Sequence, residues 1–319
     1  MNEQQNFRIS KLDDDTVISV PDKDSTYVES GLSSYLNKII ESDMFLPIYI
    51  LGEKGFGKTF EVEQVCAKLN RKMVRIPISI ETDQFDLFGG TELIGGNTVN
   101  RDGPVIKAMR EGAILLLDEV DRGSNKLICL QSVLEGKPYF NKNTGEVIYP
   151  ANGFNIIGTA NTRGRGSIDG RYLAQILDEA FLDRFLVILE HNVPSVENEN
   201  KILTNIMNDV GIDDTAFIDN LIKWASQIRL SFKTGAYEET ISTRKLVSIC
   251  RIYSIFKNKL EAIRLSMNNM EDETMKRSIL DLYTSIDGDA KETDPYKSFI
   301  NETNDNGEIV WKPKVTRTK

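Results

Sequence analysis

The chain has 319 residues, of which 40% are hydrophobic and 27% charged, enough for one large domain core and a smaller second unit. Its net charge of −9 argues against a protein that coats nucleic acid or an anionic membrane. A polar N-terminus and the lack of any run of about 18 apolar residues predict a cytoplasmic protein without a membrane anchor. The three cysteines, Cys66, Cys129 and Cys250, have neither metal-binding nor disulfide spacing, so we expect buried thiols.

The first part of the chain changes character near residue 45. Residues 1–44 are predicted to be an acidic, turn-rich extension that ends in a helix at 33–42. From residue 45 to 193, short apolar strands alternate with helical stretches; the strands are predicted at 48–51, 73–78, 113–117, 154–159 and 185–189. This alternation predicts an α/β fold with a doubly wound parallel sheet, whose ligands bind at the carboxyl edge of the strands.

Two Gly- and Asn-rich insertions interrupt this alternation, at residues 88–103 and 137–153, and both are predicted to be projecting hairpins. Pro194 marks the linker to a helical domain at 194–287, with helices predicted at 197–208, 216–229, 244–265 and 271–286. Asp287-Gly288-Asp289 lacks the spacing of a calcium loop and is predicted to stop the last helix. Residues 288–319 form a polar tail, expected to be a mobile terminus or, alternatively, a docking segment.

The most informative segment follows the first predicted strand and precedes a predicted helix at 60–69. It satisfies G-x-x-x-x-G-K-T, a loop whose backbone N–H groups wrap a polyphosphate. We expect Lys58 to contact the β- and γ-phosphates of ATP, and Thr59 to offer its hydroxyl to Mg²⁺. The predicted nucleotide contacts are Gly52, Glu53, Lys54, Gly55, Phe56, Gly57, Lys58, Thr59 and Phe60.

Two further strand ends carry polar side chains. The third predicted strand ends in Asp118-Glu119, so Asp118 is expected to hold Mg²⁺ and Glu119 to act as general base on the attacking water. The fourth delivers Asn161, whose neutral amide can orient that water without repelling the γ-phosphate. The alternatives, a solvated acidic turn and an Asn that caps a turn, are weakened by the phosphate loop in the same chain.

These motifs, in this order, resemble those of the AAA+ ATPases, and more narrowly the MoxR group of the helix-2-insert branch. The chain is most similar to the CobS-type ATPase subunits of aerobic cobaltochelatase. The resemblance covers about residues 30–265 and is carried by residues 50–65, 85–89, 102–104, 115–121, 159–162, 182–185 and 241–244.

The resemblance implies an AAA+ P-loop domain followed by a C-terminal helical lid, and it assigns two arginines. Arg184 aligns with the arginine finger that completes the site of the neighbouring subunit, with a surface pair to Asp183 as the alternative. Arg244 aligns with the second sensor, although this chain has Ser-Thr-Arg where the family has Ser-Pro-Arg. Three nearby arginines compete for the finger role: Arg163, Arg165 and Arg171.

By the same resemblance, the two hairpins would be the helix-2 and pre-sensor hairpins of a homo-oligomeric ring, a hexamer. The expected partners are a protein with a von Willebrand A domain and a large, metal-inserting chelatase-type subunit. His191, the one histidine, has no second ligand at metal-binding spacing and is predicted to close the fifth strand. Five hairpin aromatics are either handles for a partner or packed onto their own core: Phe85, Phe88, Tyr139, Phe140 and Tyr149.

Three functions are therefore considered. The first is a motor that hydrolyses ATP and remodels a partner protein. The second is a scaffold that binds nucleotide with little turnover, and the third is a DNA-directed motor, which the net charge of −9 disfavours.

Overall fold

The structure is a computed structural model. It describes residues 18–94, 96–162, 164, 174–268, 270, 272–288, 290, 299–303 and 309–313. The chain divides into two compact units, Met1–Val193 and Pro194–Lys319. Arg163, Arg165 and Arg171, the competing arginines, lie outside the described residues.

The first unit is built on a parallel sheet. Its strands are β1 (Ile48–Leu51), β2 (Met73–Pro77), β3 (Gly89–Ile94), β4 (Asn97–Asp102), β5 (Ile114–Asp118), β6 (Tyr139–Asn141), β7 (Glu146–Ile148), β8 (Asn155–Ala160) and β9 (Val187–Glu190). Five of them form one sheet in the order β2-β5-β8-β1-β9, all parallel. The predicted α/β parallel sheet is confirmed, and its strand ends differ from the predicted ones by at most two residues.

Apolar side chains cover both faces of this sheet, as short Ile- and Leu-rich strands require. Leu115 and Leu117 of β5 pack into one cluster, while Ile114 and Leu116 of the same strand pack into the other. The helices of this unit are α1 (Gly31–Glu41), α2 (Lys58–Lys68), α3 (Gln84–Phe88), α4 (Pro104–Glu111), α5 (Gln131–Leu134) and α6 (Glu179–Leu182). Because both faces of the sheet are covered by apolar side chains, the carboxyl ends of the strands are where polar side chains can be placed.

Both predicted hairpins are present as antiparallel pairs, β3 with β4 and β6 with β7. Their aromatics behave in two ways. Phe88 is buried and stacks on Tyr139 with ring centroids 4.2 Å apart, whereas Phe85, Phe140 and Tyr149 are exposed. Phe88 and Tyr139 therefore pack within the first unit, and a role of the exposed rings as handles for a partner stays a prediction.

The second unit contains the helices α7 (Val196–Asp209), α8 (Thr215–Lys233), α9 (Thr243–Phe256), α10 (Lys259–Ser266) and α11 (Glu273–Ile286). Its core includes Trp224, Phe217 and Tyr283, all with no measurable exposure. The prediction of one continuous helix at 244–265 is wrong. Lys257 is left-handed, with φ 54°, and the side chain of Asn258 accepts from the backbone N–H of Glu261, so one helix ends and a second is capped there.

Two segments of the C-terminal tail, for which no strand was predicted, are strands. Strands β10 (Phe299–Thr303) and β11 (Ile309–Pro313) pair antiparallel. The intervening sequence contains Asn306-Gly307, a hairpin-turn signal that the prediction overlooked. Among the helices described, none combines the length and apolar character needed to cross a bilayer.

Candidate functional site

The phosphate-loop motif follows β1 directly and is held against the rest of the first unit by its backbone. The N–H of Gly52 donates to the carbonyl of Ala160 at 3.2 Å. A Cβ at Gly52 would lie 2.3 Å from the carbonyl oxygen of His191, so only glycine fits there. Gly57, with φ 101°, lies in the left-handed region and leads straight into α2.

The N-terminus of α2 points into this loop without a side-chain cap. Gly57 is the N-cap and makes no side-chain hydrogen bond, so it leaves backbone N–H groups of the first turn to other acceptors. The helix has 11 residues, and its N-terminal end carries the positive end of the helix dipole. This geometry suits an anion such as a phosphate.

The remaining predicted loop contacts divide by exposure. Glu53 and Lys54 are exposed, whereas the ring of Phe56 is buried. Phe60 is partly exposed and meets the ring of Tyr27 edge-on, with centroids 5.7 Å apart. Side-chain contact with a nucleotide is therefore open to Glu53 and Lys54 more readily than to Phe56.

The Lys58 side chain is buried within the loop that it belongs to. Its ammonium donates to the carbonyls of Gly52 at 2.6 Å and Glu53 at 2.9 Å, and to Oδ1 of Asn161 at 2.9 Å. Lys58 and Asn161 are 103 positions apart in the chain, so the sheet brings the predicted phosphate cation and the predicted sensor amide together.

Asp118, at the end of β5, is a hub of hydrogen bonds. Its Oδ1 accepts from the hydroxyls of Thr59 at 2.7 Å and Thr159 at 2.6 Å, and its Oδ2 accepts from Nε and Nη2 of Arg75 at 3.0 and 2.6 Å. Burial raises the pKa of this carboxyl, but the hydrogen bonds from Thr159, Thr59 and Arg75 outweigh it, so the net pKa lies below its usual range. The group is an anion at neutral pH.

Arg75 is a site residue that the sequence prediction missed. It lies in the apolar strand β2, next to β5 in the sheet, and its Nη1 also reaches Oε1 of Glu63 at 3.2 Å. A single cation inside an otherwise apolar strand was the signal available in the sequence, because such a side chain needs a partner.

Glu119 follows Asp118 with an unusual backbone. Its φ of 58° and ψ of 49° lie in the left-handed region, which costs a non-glycine residue about 1–2 kcal/mol. Its N–H donates to Oγ1 of Thr159 at 3.1 Å, and its Oε2 lies 2.9 Å from Nε of Arg122. In this turn the Glu119 carboxylate is thus paired with Arg122, three residues further along the chain.

Asp121 is a second residue that the prediction missed. It is 1% exposed, and its Oδ2 accepts from the N–H groups of Asn161 at 3.0 Å and Thr162 at 2.9 Å and from the Thr162 hydroxyl at 3.0 Å. This carboxylate therefore clamps the end of β8, where Asn161 meets Lys58.

His191 does follow β9, and its backbone N–H donates to Leu51 at 2.7 Å. In addition, its ring Nε2 lies 2.7 Å from the carbonyl oxygen of Phe56 in the phosphate loop. The imidazole of His191 therefore contacts the backbone of the phosphate loop, a role that the metal-ligand spacing considered in the sequence did not indicate.

Of the two predicted arginines, Arg184 belongs to the first unit and Arg244 to the second. Nε of Arg184 binds Oε1 of Glu135 at 2.8 Å, and its Nη1 donates to the carbonyl of Ala180. Its described ion-pair partner is therefore Glu135, not Asp183 as in the alternative interpretation, and the arginine-finger role stays a prediction. Arg244 is exposed and is the second residue of α9 in the other unit.

The donor set at the sheet edge fits Mg²⁺. Oγ1 of Thr59 and Oδ1 of Asp118 are oxygen atoms 2.7 Å apart, and Mg²⁺ in nucleotide sites takes one or two such ligands together with phosphate oxygens and water. Thr59 and Asp118 are thus the residues that would hold the ion. The structure thus brings Lys58 to Asn161 and Thr59 to Asp118, and Glu119 follows Asp118 in the chain.

Comparison with known proteins agrees with this geometry. Residues 47–185 match the AAA domain of the dynein-related subfamily, and residues 199–286 match the CbbQ/NirQ/NorQ C-terminal domain. An uncharacterized protein of Staphylococcus saprophyticus is 30% identical over 242 residues, covering 73% of this chain and 88% of the relative. One of Staphylococcus haemolyticus is 31% identical over 241 residues, covering 73% and 87%.

A solved structure of a candidate ATPase from Cytophaga hutchinsonii aligns at 19% identity with a TM-score of 0.42, covering 80% of this chain and 89% of that one. Family membership rests on the sequence matches, which extend over both units. The chain belongs to the MoxR-like AAA+ ATPases, with a dynein-related AAA domain followed by a CbbQ/NirQ/NorQ C-terminal domain.

Proposed function

We propose that this protein hydrolyses ATP with Mg²⁺ and uses the cycle, as a ring, to remodel a partner protein. The observation that carries the proposal is that the start of α2, which has no side-chain cap, brings Lys58 to Asn161 just after β8 and Thr59 to Asp118 at the end of β5. Such a cluster serves phosphoryl transfer, in which positioning and charge stabilisation supply most of the rate enhancement.

Each residue has a proposed role. The first-turn N–H groups of α2 and the Lys58 ammonium would bind the phosphates, with the ammonium exchanging its loop carbonyls for phosphate oxygens. Mg²⁺, held by Thr59 and Asp118, would neutralise charge on the β- and γ-phosphates. Asn161 would orient the attacking water, and Glu119 would accept its proton as the bond from the γ-phosphorus to ADP breaks.

Two substitutions separate binding from chemistry. Lys58→Ala should abolish ATP binding because the phosphates lose their main cation, whereas Glu119→Gln should bind ATP and lose phosphate release by a factor of about 100 or more. Lys68→Ala, at the far end of α2 in an exposed pair with Glu29, is the matched control and should behave as wild type. Unchanged ATP affinity in Lys58→Ala would refute the site.

Ring formation is proposed from the family, with Arg184 as the finger supplied to a neighbouring subunit. Glu135 would have to release Arg184 for this purpose, and an ion pair whose side chains are 24% and 31% exposed can be exchanged at modest cost. Mixing Arg184→Ala chains with Lys58→Ala chains should restore turnover at interfaces that join an intact loop to an intact arginine. If mixed rings form without any rescue, Arg184 does not act in trans.

A partner is proposed to bind the two hairpins, where Phe140 and Tyr149 are 54% and 70% exposed. By the resemblance, that partner contains a von Willebrand A domain, and a large chelatase-type subunit completes the assembly. Shortening residues 142–149 to a two-residue turn should keep basal ATPase and lose stimulation by the partner. Full stimulation of the shortened protein would refute the hairpin role.

The second candidate function is a scaffold that binds ATP and turns it over slowly. The contact of Glu119 with Arg122 favours it, because a general base held by an arginine must be released before it accepts a proton. Steady-state phosphate release by the assembled wild-type protein separates the two candidates.

A further inference from the structure

The second unit contains a buried ion pair that none of the proposed chemistry uses. Nη1 and Nη2 of Arg229, in α8, donate to the two carboxylate oxygens of Glu199, in α7, each at 2.8 Å. The side chains are 10% and 1% exposed. A buried pair of this kind needs further hydrogen bonds to offset its desolvation.

Those further bonds come from the start of α9. Nε of Arg229 donates to the carbonyl of Ile241 at 2.7 Å, and the hydroxyl of Thr243 donates to Oε1 of Glu199 at 2.7 Å. Ser242, between them, is the N-cap, and its hydroxyl accepts from the N–H of Lys245 at 3.3 Å. The residues on both sides of the cap are therefore tied to the same buried pair.

Helix α4, in the first unit, restrains its first turn in a different way. Helix α4 has Pro104 at its first position, where the ring sets the φ angle that a helix needs. Helix α9 has Thr243 at the equivalent position, and the threonine is 7% exposed. In α9, contacts with other helices thus restrain the first turn, as the proline does within α4.

We propose that Thr243, Glu199 and Arg229 are positioning residues that hold Arg244 in place. The inference rests on the proposed ATPase function and on the second-sensor role in it that the resemblance implies for Arg244. Arg244 is exposed and comes immediately after Thr243, so the direction of its side chain follows the backbone of the first turn. If that turn frays, the Arg244 side chain samples many orientations. The fraction of time that it spends in the orientation required for ATP hydrolysis then falls.

Proline offers a way to replace the anchor. Ser242 has φ −81° and ψ 160°, the extended conformation that a residue before proline adopts. Thr243→Pro therefore removes the hydroxyl but restrains the turn locally, whereas Thr243→Val removes the hydroxyl and keeps the shape. Thr234→Val, at the exposed end of α8, is the matched control for the same chemical change.

The experiment is a double-mutant cycle on turnover by the full-length protein. Thr243→Val should lower kcat about fivefold, the scale of one lost hydrogen bond, and Arg244→Ala should lower it about tenfold or more. Thr243→Pro and Thr234→Val should stay within about twofold of wild type. The double variant Thr243→Val/Arg244→Ala should be no slower than Arg244→Ala alone, because the anchor then has nothing left to position.

Amide hydrogen exchange gives a second readout. The N–H groups of Lys245 and Leu246, which bond to the Ser242 carbonyl, should exchange faster in Thr243→Val and at the wild-type rate in Thr243→Pro. If valine prevents folding, Thr243→Ala takes its place in the cycle.

The outcomes separate the anchor from the proposed function. If Arg244→Ala is slow but Thr243→Val turns over at the wild-type rate, the positioning role of Thr243 is overturned and the role of Arg244 stands. The same holds if the losses of the two single variants add in the double variant. Wild-type turnover in Arg244→Ala removes Arg244 from the cycle and the anchor with it, while Lys58 and Glu119 remain testable on their own.

Discussion

Two of the carboxylate–arginine pairs in the described residues lie in opposite surroundings. Arg75 and Asp118, in the first unit, have side chains that are 48% and 9% exposed, and both have other polar partners that they can exchange. Arg229 and Glu199, in the second unit, are 10% and 1% exposed, and their further partners, Ile241 and Thr243, are buried as well. The same chemistry thus produces an adjustable site where one partner reaches solvent, and a rigid anchor where neither does.

The largest expected effect concerns the closed pair. Glu199→Gln leaves the Arg229 guanidinium buried without its counter-charge, so the free energy of unfolding of the second unit should fall by about 3–5 kcal/mol. Both tryptophans of the chain, Trp224 and Trp311, belong to that unit, so tryptophan fluorescence during urea unfolding follows it.

Asp118→Asn, measured by circular dichroism, is the comparison. This substitution should lower the free energy of unfolding by about 1 kcal/mol or less, because Arg75 can then turn toward water and Glu63. Equal losses in the two variants would contradict the distinction between an open and a closed pair.

The next effect concerns the metal. Arg75→Gln removes the positive charge that lies beside the Asp118 carboxylate and competes with Mg²⁺ for it. The Mg²⁺ concentration for half-maximal ATPase activity should therefore fall about three- to tenfold. Binding of Mn²⁺ with a non-hydrolysable ATP analogue, followed by electron paramagnetic resonance, should tighten in parallel without any turnover. Arg101→Gln, in an exposed pair with Glu92, is the control. A raised Mg²⁺ requirement would mean that Arg75 orients Asp118 rather than competing for it.

The smallest effect is in the pH dependence of stability. Because the pKa of Asp118 is lowered in the folded protein, its ionised form stabilises the fold above the usual Asp pKa of about 4, and this contribution is lost as the pH falls through the folded value. The stability difference between wild type and Asp118→Asn should therefore be full at pH 7 and shrink below about pH 4. If the stability difference between wild type and Asp118→Asn stays the same in acid, it arises from the shape of the side chain rather than from its charge.

Local patterns were enough to predict a large part of this protein. The parallel sheet and both hairpins came from runs of apolar residues and clusters of glycine and asparagine, since each such signal lies within one short segment. The break at Lys257-Asn258 was missed because the apolar spacing continues across it, and spacing does not reveal a left-handed residue. The C-terminal hairpin was missed because its polar composition outweighed the Asn-Gly signal.

The sequence by itself determined the phosphate loop, the carboxylates Asp118 and Glu119, and Asn161, because chemistry and strand position are encoded together in a few adjacent residues. Only the tertiary structure decided which distant groups support them. Arg75 meets Asp118 across 43 positions, and Asp121 meets Asn161 across 40. Thr243 reaches Glu199 across 44. A buried polar group must find a partner somewhere, but which partner depends on how strands and helices pack, and no local pattern records that.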